Sequence, residues 1–143
     1  MRRRALGLLA RREHSVAELR SKLASGEGEG AVAAVLDALA LEGLLSDRRF
    51  AEVFIRSRRE RGSGPLRIQA DLRQRGISGE LMDELLDIAD ADWRSVAKEA
   101  RRKRFGTAQP SNFPERAQQA RFLRARGFTE DQVRSALRDD SLE

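Results

Sequence analysis

The chain has 143 residues, with 28 basic and 23 acidic side chains, no cysteine, one histidine and a formal net charge of +5. This length allows one to three small compact units and excludes a large multidomain enzyme. Without cysteine there is no disulfide framework, no cysteine-ligated metal and no thiol nucleophile, and His14 alone cannot build a histidine-rich metal site. The positive charge favours an anionic partner, such as nucleic acid or an acidic protein surface.

The N-terminal residues resemble the start of a secretion signal only superficially. The basic opening from Met1 to Leu6 is followed by Arg11, Arg12 and Glu13, which interrupt the apolar stretch. No run of apolar residues is long enough to span a membrane. We therefore expect a cytoplasmic protein that needs neither a cofactor nor a metal ion and makes no membrane contact.

Helix-forming residues dominate the chain, which contains 20 Ala and 18 Leu but only 12 Val, Ile and Thr residues. Capping boxes at Ser15, Asn112 and Thr129 and a Gly64-Pro65 pair mark helix starts. Five glycines are expected to end helices with a positive φ: Gly43, Gly62, Gly76, Gly106 and Gly127. In chain order, the predicted helices span residues 3–13, 15–24, 31–43, 47–61, 65–75, 79–90, 92–105, 113–126 and 130–139, with loops at 25–30 and 107–111.

A threefold repeat is present in this helical pattern. Leu19, Leu72 and Leu123 each precede an arginine and, two residues further on, a second basic residue, at offsets of 53 and 51 residues. Repeats of this kind typically stack as tandem helical units. The sequence therefore predicts an all-α protein of three tandem three-helix repeats, at residues 1–46, 47–91 and 92–143, that form an elongated, curved helical array.

The charges follow the same repeat. Successive segments carry net charges of +5, −4, +5, −6, +8 and −3, so that predicted first and second helices are basic and third helices are acidic. Within 92–105, four bases at i, i+4, i+7 and i+8 are expected to form one exposed ridge: Arg94, Lys98, Arg101 and Arg102. The candidate binding residues are Arg56, Arg59, Arg67, Arg73, Arg94, Lys98, Arg101, Arg102, Arg121 and Arg124. For any single arginine, plain solvated surface is the alternative.

Other conspicuous residues favour structural roles. His14 precedes a helix cap and has no second metal ligand at a suitable spacing, so we expect it to be a structural or a solvent-facing residue and not a ligand or base. Trp93 and most phenylalanines lie on apolar helical stripes and are expected to pack in the core, whereas Phe105, beside a basic run, leaves base stacking open. The chain offers no nucleophile and base pair for catalysis, so we expect no enzyme.

Four ordered motifs lie at Ala5 to Leu23, Val35 to Glu52, Gly64 to Ile77 and Phe122 to Phe128. Together they resemble the RecX family of bacterial recombinase regulators. Two positions depart from the family pattern, because Ser46 replaces a usual Asp and Ser63 replaces a frequent aromatic residue. The resemblance implies a monomer of three three-helix units that binds RecA and lies in the groove of its filament on single-stranded DNA. There it would inhibit ATP hydrolysis, strand exchange and coprotease activity.

A helix-turn-helix transcription regulator is the alternative function. The predicted helix at 15–24, a turn and the segment 31–45 are similar to the core of winged-helix proteins. Two features oppose this interpretation, since residues 31–43 lack Lys and Arg, and Asp47 starts another helix where a wing would form a hairpin.

Overall fold

The computed structural model describes residues 1–24 and 28–138, and these residues form nine α-helices and no strand. The helices are α1 (Arg2–Arg11), α2 (Val16–Leu23), α3 (Glu29–Leu41), α4 (Asp47–Glu60), α5 (Pro65–Gln74), α6 (Gly79–Leu85), α7 (Asp92–Phe105), α8 (Phe113–Arg126) and α9 (Glu130–Ala136). Each lies where the sequence predicts a helix, which confirms the all-α class. Residues 25–27 of the predicted first loop and residue 139, the predicted end of the last helix, lie outside the described residues.

The predicted helix signals largely act as expected. The hydroxyls of Ser15 and Thr129 cap α2 and α9 in reciprocal capping boxes. Asn112 caps α8, but the side chain of Glu115 accepts from the backbone of Ser111, not of Asn112, so that box is incomplete. All five glycines expected to have a positive φ do so: Gly43, Gly62, Gly76, Gly106 and Gly127.

Helix α6 ends at Leu85, five residues before the predicted end. Two backbone carbonyls beyond its end accept hydrogen bonds from side chains. The carbonyl of Asp87 accepts from Nε1 of Trp93 at 2.9 Å, and the carbonyl of Ile88 accepts from Nε2 of Gln132 at 2.7 Å. The Asp87 side chain also bonds to the nearby backbone, which is how aspartate competes with a helix. The helical pattern of the sequence continues here, but tertiary contacts end the helix.

The chain forms two compact units. Unit 1 comprises Met1–Phe54 and Asp71–Leu85, and unit 2 comprises Ile55–Ala70 and Leu86–Glu143. The boundary passes through α4 and α5, so each unit takes part of both helices. The repeat boundaries at 46/47 and 91/92 describe the sequence periodicity and stay a prediction.

Each unit has its own apolar core. In unit 1, α1, α2 and α3 bury one cluster of residues: Ala5, Leu19, Leu23, Val32, Leu36, Leu39 and Leu45. In unit 2, α7 packs against α8 and α9 and buries Trp93, as predicted, together with Leu123 and Val133. The three repeat leucines, Leu19, Leu72 and Leu123, are all completely buried, so the repeat marks core positions.

The end of one second helix lies against the start of another in both units. In unit 1, the hydroxyl of Ser15 donates to the carbonyl of Arg75 at 2.8 Å, and a Cβ atom on Gly76 would lie 2.5 Å from that of Ala17. Such a contact leaves room for no side chain at residue 76, and the positive φ of Gly76 disfavours one as well. The glycine of the repeat therefore permits this close approach.

Unit 2 repeats this contact between α8 and α5. The backbone N–H of Gly64 donates to the carbonyl of Arg126 at 2.7 Å, and that of Leu66 to the carbonyl of Gly127 at 2.9 Å. A Cβ atom on Gly64 would lie 2.3 Å from the carbonyl carbon of Gly127. Carbonyls at the end of α8 thus accept hydrogen bonds from N–H groups at the start of α5, which have no partner within their own helix.

His14 is a buried structural residue. It is 1% exposed, with Nδ1 3.1 Å from the carbonyl of Arg12 and Nε2 3.1 Å from Nζ of Lys22. Burial lowers the pKa of His14. A neutral ring that donates from Nδ1 and accepts at Nε2 satisfies both neighbours.

No helix in the ranges 1–24 and 28–138 is long and apolar enough to cross a membrane. The same residues contain no group of three or more His, Cys, Asp and Glu side chains that could hold a metal ion.

Candidate functional site

The positive charge of the chain belongs to unit 2. Unit 2 has 17 basic and 11 acidic residues, a formal charge of +6, whereas unit 1 has 11 basic and 12 acidic residues, a formal charge of −1. Nine of the ten candidate binding residues belong to unit 2, and Arg73 belongs to unit 1. The screening length at moderate salt is about 10 Å, so the excess positive charge of unit 2 attracts anions that come within that distance of its surface.

A depression of about 650 Å³ lies within unit 2, and we call it the basic cleft. The end of α4, the turn that follows, α7 and α8 all contribute to its walls. Its basic residues are Arg56, Arg59, Arg61, Lys103, Arg104 and Arg126. Val96, Ala100 and Phe122 supply apolar surface, and Glu60 and Glu99 supply the carboxylates. The cleft therefore combines an apolar lining with an excess of positive charge.

Guanidinium groups at the basic cleft cover aromatic rings. The carbon at the centre of the guanidinium lies 4.8 to 5.1 Å from a ring centroid in three pairs: Arg59 over Trp93, Arg104 over Phe105 and Arg126 over Phe122. The rings of Phe105 and Phe122 also pack edge to face at 5.3 Å. These contacts hold the cations in place by cation–π attraction and engage the aromatic rings.

A second depression, of about 320 Å³, lies on another side of α7, and we call it the α7 side pocket. Lys98, Arg101, Arg102 and Arg138 line it, together with Glu99. Helix α7 thus presents basic residues both to this pocket and to the basic cleft.

Four candidate arginines are engaged in exposed ion pairs: Arg59 lies 3.9 Å from Asp92, and three others form two-pronged pairs. Each of these three donates from Nε and Nη2 to one carboxylate, with shortest distances of 2.6 to 2.8 Å: Arg94 to Asp131, Arg102 to Glu99 and Arg124 to Glu130. The hydrogen bonds from the arginines hold the pKa values of Glu99 and Glu130 below their usual range. Exposed pairs of this kind add little stability, so an external anion competes with a weak partner.

The prediction that Arg101 belongs to an exposed basic ridge on α7 is wrong. This residue is only 5% exposed; its Nε donates to Oε1 of Gln119 at 2.8 Å and its Nη2 to the carbonyl of Ala108 at 2.5 Å. Burial lowers the pKa of Arg101. The guanidinium ties the loop after α7 and helix α8 to α7, so its role is structural and it does not stand on the surface with Arg94, Lys98 and Arg102.

Three protein-family models match the chain in order. They describe the first, second and third three-helix domains of RecX and match residues 2–39, 46–86 and 92–137. The chain is 55% identical over 133 residues to Regulatory protein RecX of Halorhodospira halophila, covering 92% of this chain and 83% of the relative. The chain belongs to the RecX family of regulatory proteins. Its general role is therefore the regulation of RecA.

Further comparisons agree with the RecX family. Regulatory protein RecX of Chromohalobacter salexigens is 49% identical over 135 residues, which are 93% of this chain and 88% of the relative. The crystal structure of RecX from Lactobacillus salivarius superposes with a TM-score of 0.81 at 20% identity, over 99% of this chain and 95% of that one. At that identity the superposition bears on the fold alone, and it confirms the tandem helical array.

The candidate binding residues of this RecX-family chain lie at several different places in the structure. Arg56 and Arg59 line the basic cleft, and Lys98, Arg101 and Arg102 line the α7 side pocket. Arg94 and Arg124 line two further depressions beside their acidic partners. Arg67, Arg73 and Arg121 are exposed on α5 and α8. Which of them contact a partner stays a prediction.

Four basic residues of the basic cleft are absent from the sequence-based candidates: Arg61, Lys103, Arg104 and Arg126. Val96, Ala100 and Lys103 are spaced at i, i+4 and i+7 and so share one side of α7. That spacing could have identified the α7 wall of the cleft. Nothing local in the sequence brings α4 and α8 to the same place.

The structure also bears on the helix-turn-helix alternative. Helix α3 contains no Lys or Arg, and α4 follows it at Asp47, with no strand in the described part of the chain to form a wing. A recognition helix without basic residues is poorly suited to enter a DNA groove.

Proposed function

We propose that this RecX-family chain binds RecA and the filament that RecA forms on single-stranded DNA, and lies in the groove of that filament. By occupying the groove it inhibits ATP hydrolysis, strand exchange and coprotease activity. It acts as a monomer in the cytoplasm and performs no chemistry of its own. The observation that carries the proposal is the concentration of exposed basic side chains in unit 2, whose formal charge is +6.

Several of these basic residues are available to a partner. Arg56 on α4 and Arg121 on α8 are exposed and have no ion-pair partner among residues 1–24 and 28–138. Arginines contact DNA phosphates and protein carboxylates through the same planar fork of donors. A filament on single-stranded DNA offers both kinds of anion, which suits a basic surface of this kind.

Binding without catalysis fits the composition of the basic cleft. Its lining includes one side-chain hydroxyl, that of Ser95, and no histidine or cysteine. A serine nucleophile needs an adjacent base to become reactive, and Ser95 has no imidazole beside it. The cleft is therefore suited to hold an anionic group.

The test is the rate of ATP hydrolysis by RecA on single-stranded DNA, with and without this protein, over a series of salt concentrations. We expect inhibition that is strongest at low salt and weakens steeply as salt rises, because each phosphate contact on a single strand releases about 0.7 counterion. Inhibition that stays constant across the series would contradict an electrostatic interface. No effect of the protein on RecA at low salt would contradict the proposed function itself.

A further inference from the structure

The basic cleft has features that a surface for DNA phosphates does not need. Its volume of about 650 Å³ lies within the usual range of pockets that enclose a ligand. Val96 of α7 and Phe122 of α8, both half-buried, present apolar surface inside it, and the methyl group of Ala100, which is 8% exposed, lines it as well. Phosphate contacts require donors and positive charge only, so the aliphatic lining indicates a ligand that also has an apolar part.

A nucleobase is a poor match for that apolar part. Single-stranded nucleic acids bind chiefly by stacking bases on aromatic rings. The ring of Phe122 is already engaged by the guanidinium of Arg126 at 5.1 Å and by the ring of Phe105 at 5.3 Å. Trp93 is 2% exposed and covered by Arg59 at 4.8 Å. Val96 has no such partner, and an aliphatic side chain packs on it better than a base does.

The charged part of the ligand is indicated by the basic residues of the cleft. Arg56, Arg61, Lys103 and Arg104 are all exposed, so their charged groups are accessible to a ligand. The planar fork of arginine is complementary to carboxylates. Carboxylates next to an aliphatic side chain are the chemistry of an acidic peptide segment that contains a leucine, isoleucine or valine.

We propose that the basic cleft is a docking site for an acidic peptide segment with one protruding aliphatic side chain, supplied by a partner protein. The aliphatic side chain packs against Val96 and Ala100, and flanking carboxylates pair with Arg56 and Lys103. This inference builds on the proposed function, because it assigns the cleft to the protein component of the filament and not to the DNA.

The test measures binding directly, without RecA. Three fluorescently labelled probes are titrated with the full chain and followed by anisotropy: an acidic peptide of Asp and Glu with a central leucine, the same peptide with serine in place of leucine, and an oligothymidylate of equal charge. We expect the leucine peptide to bind about tenfold more tightly than the serine peptide, because burial of the leucine contributes only to the first. The Val96→Ser variant should reduce that preference without weakening the serine peptide.

Matched variants locate the site. Arg56→Glu with Lys103→Glu should weaken the leucine peptide about tenfold or more, whereas Arg3→Glu with Arg4→Glu, on α1 of unit 1, makes the same change in net charge and should leave it unchanged. Circular dichroism establishes that both variants are folded. Three results would overturn the proposal: no binding of the leucine peptide, equal binding of the two peptides, or displacement of the leucine peptide by the oligothymidylate at equal or lower concentration. Either of the first two results would be compatible with inhibition of RecA by this protein, so the peptide assay and the assay of RecA inhibition test the two proposals separately.

Discussion

Arg101 and Arg102 are neighbours on α7, but substitution by Glu should greatly destabilise the protein at Arg101 and have little effect at Arg102. Arg101→Glu removes two hydrogen bonds from a buried guanidinium, to Gln119 and Ala108, and places a carboxylate beside two acceptor oxygens. Hydrogen bonds of charged groups contribute about 1.5–3 kcal/mol each, so we expect a loss of about 3–5 kcal/mol in the free energy of unfolding. That is a large part of the 5–15 kcal/mol typical of a folded protein and should lower the urea midpoint by about 2 M.

Arg102→Glu is the control for this prediction. The side chain of Arg102 is 51% exposed, and the substitution replaces its pair with Glu99 by a repulsion between like charges. Exposed interactions of this kind are screened by solvent and contribute little to stability, so the midpoint should change little. Urea unfolding followed by circular dichroism at 222 nm measures both variants. If Arg101→Glu is no more destabilising than Arg102→Glu, the structural role assigned to Arg101 is refuted.

The remaining predictions concern the helix contacts and the buried histidine. Gly64→Ala forces a methyl group against the backbone of Gly127 and should lower the free energy of unfolding by about 2–4 kcal/mol. Gly7→Ala is the control, because nothing lies within 4 Å of its added methyl group, and its higher helix propensity should raise the free energy of unfolding by about 0.5–1 kcal/mol. Urea midpoints that shift in the same direction in both variants would contradict this. Burial lowers the pKa of His14, so the unfolded state binds its proton more readily than the folded state. The stability that His14 contributes is therefore fully present above the unfolded pKa of about 6.5 and lost as the pH falls below it. Between pH 7 and pH 5 the free energy of unfolding should fall less in His14→Asn than in the unchanged protein, and an equal fall would contradict the assignment.

The fold was predictable from the sequence because most of its signals are local. Ser15, Thr129 and the five helix-ending glycines act within one turn of their own position, and the three repeat leucines report core positions through helical periodicity. The early end of α6 was not predictable. It depends on Trp93 and Gln132, whose side chains donate to the carbonyls of Asp87 and Ile88 beyond the end of α6.

The candidate site was less predictable, as Arg101 illustrates. On a helical wheel of about 100° per residue, Arg101 lies about 40° from the buried Ala97 and about 20° from the exposed Arg94. The wheel therefore places Arg101 at the edge between the two faces. Which face it joins depends on where Gln119 and the loop after α7 pack, and that is a long-range property of the fold.

The basic cleft could not be predicted from the sequence for a similar reason. Arg56 and Lys103 are separated by 47 positions and become neighbours in one depression only through the packing of α4, α7 and α8. The charge pattern of the sequence indicated a basic third repeat, but it could not say which bases converge and which pair with carboxylates. Glu99 and Glu130, which engage Arg102 and Arg124, lie within a few residues of them and could have been considered.

We propose that exposed cations of unit 2, and not the net charge of the chain, are responsible for the effect of this protein on RecA. The most direct measurement is ATP hydrolysis by RecA on single-stranded DNA at one low salt concentration, with three proteins compared. Arg56→Glu with Lys103→Glu changes unit 2, and Arg3→Glu with Arg4→Glu makes the equal charge change in unit 1. We expect the unit 2 variant to need about tenfold more protein for half inhibition and the unit 1 variant to match the unchanged protein. Equal losses in both variants, or no loss in either, would contradict the claim.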